Sequence, residues 1–261
     1  MPDGPRFDST TDYYAAHRPG YGDAVIDHLR ERFSLGDPGT RVLDLGCGTG
    51  ELAVPLAANA DEVVAVDPSP AMLDAVRARA ARAGVETVHA VEGDDTDVGH
   101  LDATSGPFRL TTMGRSFHWM DGAATLDRIR NVTEPSGGVA LVSDDEWLTR
   151  GTEEWQDAVY DVATGYLDDL PERTGPVEYD RSWADHLRDA GFDDVRVESV
   201  GERRDLDADA VVGYVLSLSF CSPERLGDDR RAFEAALRAR LDDLDESFTY
   251  ERTVEVTSGR V

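Results

Sequence analysis

The sequence predicts an α/β protein built on a mostly parallel sheet, and three observations point that way. Short apolar runs alternate with ten-to-twenty-residue helical stretches through residues 41–145. That spacing suits right-handed crossovers between parallel strands. A glycine cluster at residues 46–50 stands between the first strand and the next helix, where a ligand can approach bare backbone.

The elements follow in order. RVLDL (41–45) reads as a buried strand that ends in glycines. Residues 50–60 have a helical pattern, with Pro55 tolerated only near a first turn, since an interior proline costs about 3 kcal/mol. EVVAVD (62–67) is the second strand. Ser69 then offers an N-cap with Pro70 at the first helical position, and the helix stops at Gly84. VETVHAVEG (85–93) and PFRLTTMG (107–114) are the third and fourth strands. DGAATLDRIRNVT reads as a helix and GGVALVSDD (137–145) as the fifth strand. Farther on, 152–170 and 228–243 have helical patterns, WADHLRDAGF leads into the strand DDVRVESV, and YERTVEV (250–256) is a last strand. With no repeat or low-complexity linker between these parts, one domain is expected. Its parts would be an N-terminal cap (1–36), a ligand-binding core (37–145) and a C-terminal half with helical insertions (146–261).

Charge is the unusual global feature. Among 261 residues, 53 are acidic and 26 basic, a formal net charge of −27, and every basic residue is Arg. The acids are spread along the whole chain, as in RDLDADA and LDDLDE, which fits adaptation to molar salt. At about 1 M salt the Debye length is only about 3 Å, so the charge describes habitat and not partners. The first twenty residues hold no apolar run, and nothing approaches the roughly 20 apolar residues of a membrane span. Cys47 and Cys221 have no metal-ligand spacing. The expectation is a cytoplasmic protein without a bound metal or membrane contact.

The stretch Asp44-Leu45-Gly46-Cys47-Gly48-Thr49-Gly50 carries most of the chemistry. It is followed by Asp67 at the end of the second strand, where an acid can accept from both hydroxyls of an adenosine ribose. The dinucleotide fingerprint G-x-G-x-x-G is not met, and Asp44 and Glu51 would repel a diphosphate. Both suit a ligand that carries an ammonium and a sulfonium.

DLGCGTG, then VVAVDPSPAML, then EGDDTD resembles the class I S-adenosylmethionine-dependent methyltransferases, in the small-molecule branch near the type-11 group. TTDYYAAHRPGY, SFHWMD, GGVALV and DAGFDDVRVES are similar to that branch too, so the resemblance spans about nine-tenths of the chain. It implies a Rossmann-like, seven-stranded mixed sheet with helices on both faces. S-adenosylmethionine would be the cofactor and a small molecule the methyl acceptor, nucleic acid being unlike this pattern. Gly46, Cys47 and Gly48 would cradle the methionine part, with Asp44 before them. Asp67 would hold the ribose, flanked by Pro68, Ser69 and Met72. Asp94, after Gly93 and beside Asp95, would accept from the adenine amine. The backbone of Met113 to Ser116, including Arg115, would lie near the methionine carboxylate and the methyl group.

Two segments stay open at this level. Tyr13, Tyr14, His17 and Arg18 read as a lid, with Arg18 on the methionine carboxylate and a tyrosine facing the sulfonium, or as an aromatic staple for the N-terminus. His118, in SFHW, reads as a general base or as a residue that shapes the pocket; with Tyr14 it is the candidate for catalysis. No Asn-Pro-Pro-Tyr and no Pro-Cys pair stands there, which speaks against amino-methylation of nucleic acid and cytosine C5 chemistry. The apolar stretch 207–227 is expected in the core, or as a helix that caps the acceptor pocket. A methyltransferase for tRNA or protein, and a cofactor-binding protein without catalysis, remain as alternatives.

Overall fold

The computed structural model describes residues 11–18, 20–173, 181–244 and 247–261. Seven strands form one sheet: β1 (Arg41–Leu45), β2 (Glu62–Asp67), β3 (Val88–Glu92), β4 (Phe108–Gly114), β5 (Thr133–Asp144), β6 (Asp193–Leu206) and β7 (Phe248–Arg260). Their order is β3-β2-β1-β4-β5-β7-β6. The first five pair in parallel, and β7 runs antiparallel to both β5 and β6. The carboxyl ends of β1 to β5 therefore share one edge, where the amino end of β7 also arrives.

Alternate strand residues sort to opposite faces, as a pleated backbone requires. Val42, Val63, Ala65, Leu110 and Val142 pack against the helices α2 (Asp23–Phe33), α3 (Ala53–Leu56) and α4 (Pro70–Ala83). Leu43, Leu45, Val64, Val66, Met113 and Leu141 pack against α5 (Gly122–Val132) and α8 (Trp183–Asp189). Burial on both faces explains why these strands read as unbroken apolar runs. Each such side chain contributes roughly 1.5–3 kcal/mol on leaving water.

A third cluster lies beyond the sheet edge. Buried side chains of α6 (Trp147–Arg150), α7 (Glu154–Thr164), α9 (Ala208–Leu216) and α11 (Arg230–Asp242) meet Phe248 and Tyr250 of β7 there. α1 (Thr11–His17) packs on α9 and α4. The remaining short helix, α10, spans Pro223–Leu226.

Several boundaries differ from the sequence expectations. The helix expected over 50–60 shrinks to α3 and a 3-10 turn at Ala57–Asn59, because a turn of the glycine loop occupies its start. Pro55 falls in the first turn of α3, where its missing N–H has no helical partner to lose. β3 begins three residues later than expected, β5 begins at Thr133, and β6 continues to Leu206 because β7 offers partners as far as Phe248. Residues 1–10 of the expected N-terminal cap lie outside the described residues.

Candidate cofactor and acceptor site

The glycine loop is shaped by its neighbours. Gly46 (φ +67°) and Gly48 (φ +54°) sit in the left-handed region that glycine enters without strain. A Cβ on Gly46 would come within 2.5 Å of the Ser116 Cβ, because the segment after β4 crosses close above it. The N–H groups of Gly46 and Cys47 donate to the Val66 carbonyl at 2.8 and 3.0 Å, which ties the loop to the end of β2. Ser116 donates its hydroxyl to the Leu45 carbonyl at 2.8 Å.

Asp67 closes the arrangement. Its two carboxylate oxygens accept from Gly48 N–H and Ser69 N–H, both at 2.9 Å. A carboxylate offers about four acceptor positions, so these bonds leave two for further donors. Burial pushes its pKa up, against the two N–H groups that favour the charged form. Ser69 caps α4 by accepting from Met72 N–H at 3.3 Å; Met72 is buried beneath, and Pro68 is exposed at the rim.

Beneath the loop, Asp44 is 1% exposed and accepts from the Thr112 hydroxyl at 2.7 Å and from Ala53 N–H, at the start of α3, at 3.1 Å. Burial pushes its pKa up to about 7. Glu51 pairs with Arg79 at 2.9 Å and accepts from the Thr49 hydroxyl. Cys47 is buried and burial pushes its thiol well up, so it is filler and not a nucleophile.

Past β3, Asp94 accepts from the backbone and hydroxyl of Thr96 at 2.8 and 2.6 Å, within a capping box that it shares with Asp97. Gly93 donates to the Asp67 carbonyl at 3.3 Å. Asp95 is buried, accepting from Thr125 at 2.9 Å with Arg128 3.5 Å away. Its carboxylate anchors α5.

Tyr14, Tyr21, Gly114 and Arg115 enclose a small cavity over Gly46, Cys47 and Gly48. Arg115 has φ +55° and pairs with Asp144 at 3.1 Å and with the Tyr21 hydroxyl at 3.1 Å. Asp144 also holds Arg252 at 2.9 Å. Burial opposes its ionisation, but Arg115 and Arg252 outweigh burial and bring its carboxyl below the usual range.

α1 shows two faces, as residues four apart on a helix should. Tyr13 and His17 face α11 and α9: Arg230 donates to the Tyr13 hydroxyl, and the His17 imidazole packs on Gly213, where a Cβ would lie 2.1 Å from it. Tyr14 lines the cavity and Arg18 lies beside it; Arg18 donates to the Tyr214 hydroxyl at 3.2 Å, and its Cζ lies 5.3 Å from the Tyr14 ring centre. Tyr13 and His17 thus pin α1 to its neighbours, while Tyr14 borders the cavity over the glycine loop. His118 is exposed in the turn after β4, 4.7 Å from Trp119 between ring centres. Crowding on its inner side lowers its pKa, and it has no hydrogen-bonded partner among the described residues.

Sequence reasoning missed Tyr21, Asp144, Trp147, Tyr214 and Arg252 as site neighbours. The acid pair that ends β5 was a usable signal for Asp144; a lone phenol within the apolar run of α9 was one for Tyr214. Among the described residues no group of three or more His, Cys, Asp or Glu could hold a metal, and no helix is long and apolar enough to cross a membrane.

A sheet in this order with glycines after β1 and an acid after β2 is the architecture of nucleoside-binding methyl transfer, and the comparisons agree. A family model described as a methyltransferase domain matches residues 42–137. An uncharacterized methyltransferase of Mycobacterium tuberculosis is 31% identical over 222 residues, covering 82% of this chain and 77% of the relative. A ubiquinone biosynthesis O-methyltransferase of Bradyrhizobium diazoefficiens is 30% identical over 161 residues, covering 53% of this chain and 62% of the relative. The solved structure of a methyltransferase from Thiobacillus denitrificans with S-adenosylhomocysteine aligns over 98% of both chains, with a TM-score of 0.53 at 18% identity. This chain belongs to the class I S-adenosylmethionine-dependent methyltransferases.

Proposed function

We propose that this methyltransferase acts on a small-molecule acceptor in the cytoplasm of a salt-adapted cell. It would hold S-adenosylmethionine across the carboxyl ends of β1 to β4. The carrying observation is Asp67: braced at 2.9 Å by Gly48 and Ser69, it keeps acceptor positions for two ribose hydroxyls. Met72 and Pro68 would flank the sugar and base, and Asp94 would receive the adenine amine. Gly46 and Gly48, with no Cβ, let the methionine part lie on the loop, while Asp44 and Glu51 supply negative charge for its ammonium. Tyr14 would face the sulfonium, and Arg115, which lines the same cavity, would meet the carboxylate.

When bound, the cofactor supplies an electrophilic methyl group on sulfur. An acceptor lone pair forms the new bond to that carbon while the C–S electron pair returns to sulfur. The chain's part is alignment and exclusion of water, which together can supply several kcal/mol without a strong base. His118, exposed, beside Trp119 and without a hydrogen-bonded partner among the described residues, fits a pocket-shaping role. The O-methyltransferase relative supports a small acceptor.

Calorimetry in molar KCl tests this: S-adenosylhomocysteine should bind and NAD should not. Asp67→Ala should weaken binding by roughly 1.5–3 kcal/mol, since a charge-assisted pair and the brace of the loop are both lost. NAD binding with no response to S-adenosylhomocysteine would overturn the assignment.

A further inference from the structure

Arg18 is a partly buried cation in an acidic chain, yet no carboxylate lies within 4 Å of it among the described residues. It sits between two phenol rings, its Cζ 5.3 Å from the centre of Tyr14 and 4.8 Å from that of Tyr214. Its buried Nε has no hydrogen-bond partner among the described residues. Trp147 stacks on the same Tyr214 ring at 4.8 Å, is 2% exposed, and its indole N–H also has no acceptor among the described residues. The Tyr214 oxygen receives the Arg18 proton, so its own proton is left to donate; burial raises its pKa and keeps that proton in place.

The set is made of donors: a guanidinium from the end of α1, an indole N–H from α6 and a phenol from α9. Neighbouring acids are already held. Asp144 pairs with Arg115 and Arg252, and Glu202 with Arg204 at 2.7 Å and Arg252 at 3.4 Å. Glu146 accepts from Leu148 N–H and from the backbone and hydroxyl of Thr149. Arg18 lies within electrostatic reach of Asp144 and Glu146, whose oxygens are already taken by these other donors. Buried donors left unpaired are costly, so the cluster is built for a ligand that brings acceptor oxygens. One guanidinium with two neutral donors suits the single charge of a carboxylate better than a phosphate dianion. The cofactor's own carboxylate would be met by Arg115, which lines the cavity over the glycine loop.

We propose that Arg18, Tyr214 and Trp147 bind an anionic group of the methyl acceptor, and that the acceptor is a carboxylate-bearing small molecule. This rests on the methyltransferase reading above. Arg18 would set acceptor specificity from the end of the lid helix, so closure of α1 would complete the acceptor site.

The test is calorimetry on the full chain loaded with S-adenosylhomocysteine, in molar KCl, with benzoate, benzamide and phenyl phosphate as probes. Benzoate should bind at least tenfold more tightly than benzamide. Arg18→Gln should remove that preference and change S-adenosylhomocysteine affinity by less than about threefold; Trp147→Phe, which keeps the ring and loses the donor, should weaken benzoate several-fold. Loss of S-adenosylhomocysteine affinity in Arg18→Gln with benzoate binding intact would place Arg18 on the cofactor and overturn the proposal. Preference for phenyl phosphate, or no benzoate binding by a protein that binds S-adenosylhomocysteine, would overturn it as well. A protein that binds no S-adenosylhomocysteine would overturn the methyltransferase reading itself.

Discussion

Asp44 shows how one buried group can couple the fold to its ligand. Its carboxyl, 1% exposed under the glycine loop, titrates at about 7 because burial disfavours its charge. In the unfolded chain it would titrate near 3.8, so between these values the folded state holds the extra proton. The Asp44 contribution to stability therefore falls as pH rises from about 4 to 7. Cofactor binding should run the other way, since an ammonium near Asp44 favours the ionised form. Affinity for S-adenosylhomocysteine should rise about tenfold from pH 6 to pH 8, with proton release on binding, and this dependence should flatten in Asp44→Asn. Titration calorimetry in buffers of different ionisation enthalpy reads both quantities. An affinity that does not change across that range would mean that Asp44 stays ionised throughout.

At the scale of elements, the contact between α1 and α9 fixes where α1 lies. Gly213 of α9 meets the His17 imidazole so closely that an added Cβ would lie 2.1 Å from the ring. Gly213 is within a helix, where alanine is otherwise the better residue by about 1 kcal/mol. Gly213→Ala should therefore displace α1 and lower S-adenosylhomocysteine affinity, by about tenfold if the displacement costs about 1.4 kcal/mol, although α9 itself does not line the glycine-loop cavity. Adding His17→Ala should restore binding by making room. Failure of the second substitution to rescue would show that the loss comes from α9 and not from the lid. Sequence could show the periodicity of α1 and α9 separately, but not that one presses a glycine against the other's imidazole.

For the whole molecule, electrostatics dominate. A net charge of −27 should destabilise the fold in dilute buffer, where screening extends to about 30 Å at 0.01 M, and less so near 1 M, where it is about 3 Å. The melting temperature followed by circular dichroism should climb steadily from 0.01 M to molar KCl; a flat profile would reject salt adaptation. The sequence by itself determined the parallel core, because strands buried on both faces must be continuous apolar runs and their crossovers need helices. It also located the glycine loop, Asp67 and the cap of α4, since those features depend on residues near one another in the chain. Only tertiary structure decided the rest. Arg115 and Arg252 meet on Asp144, and Arg18 and Trp147 meet on Tyr214, across separations that no local pattern records. The order in which β7 enters between β5 and β6 brings these groups to one edge, and that order is set by long-range packing of all seven strands.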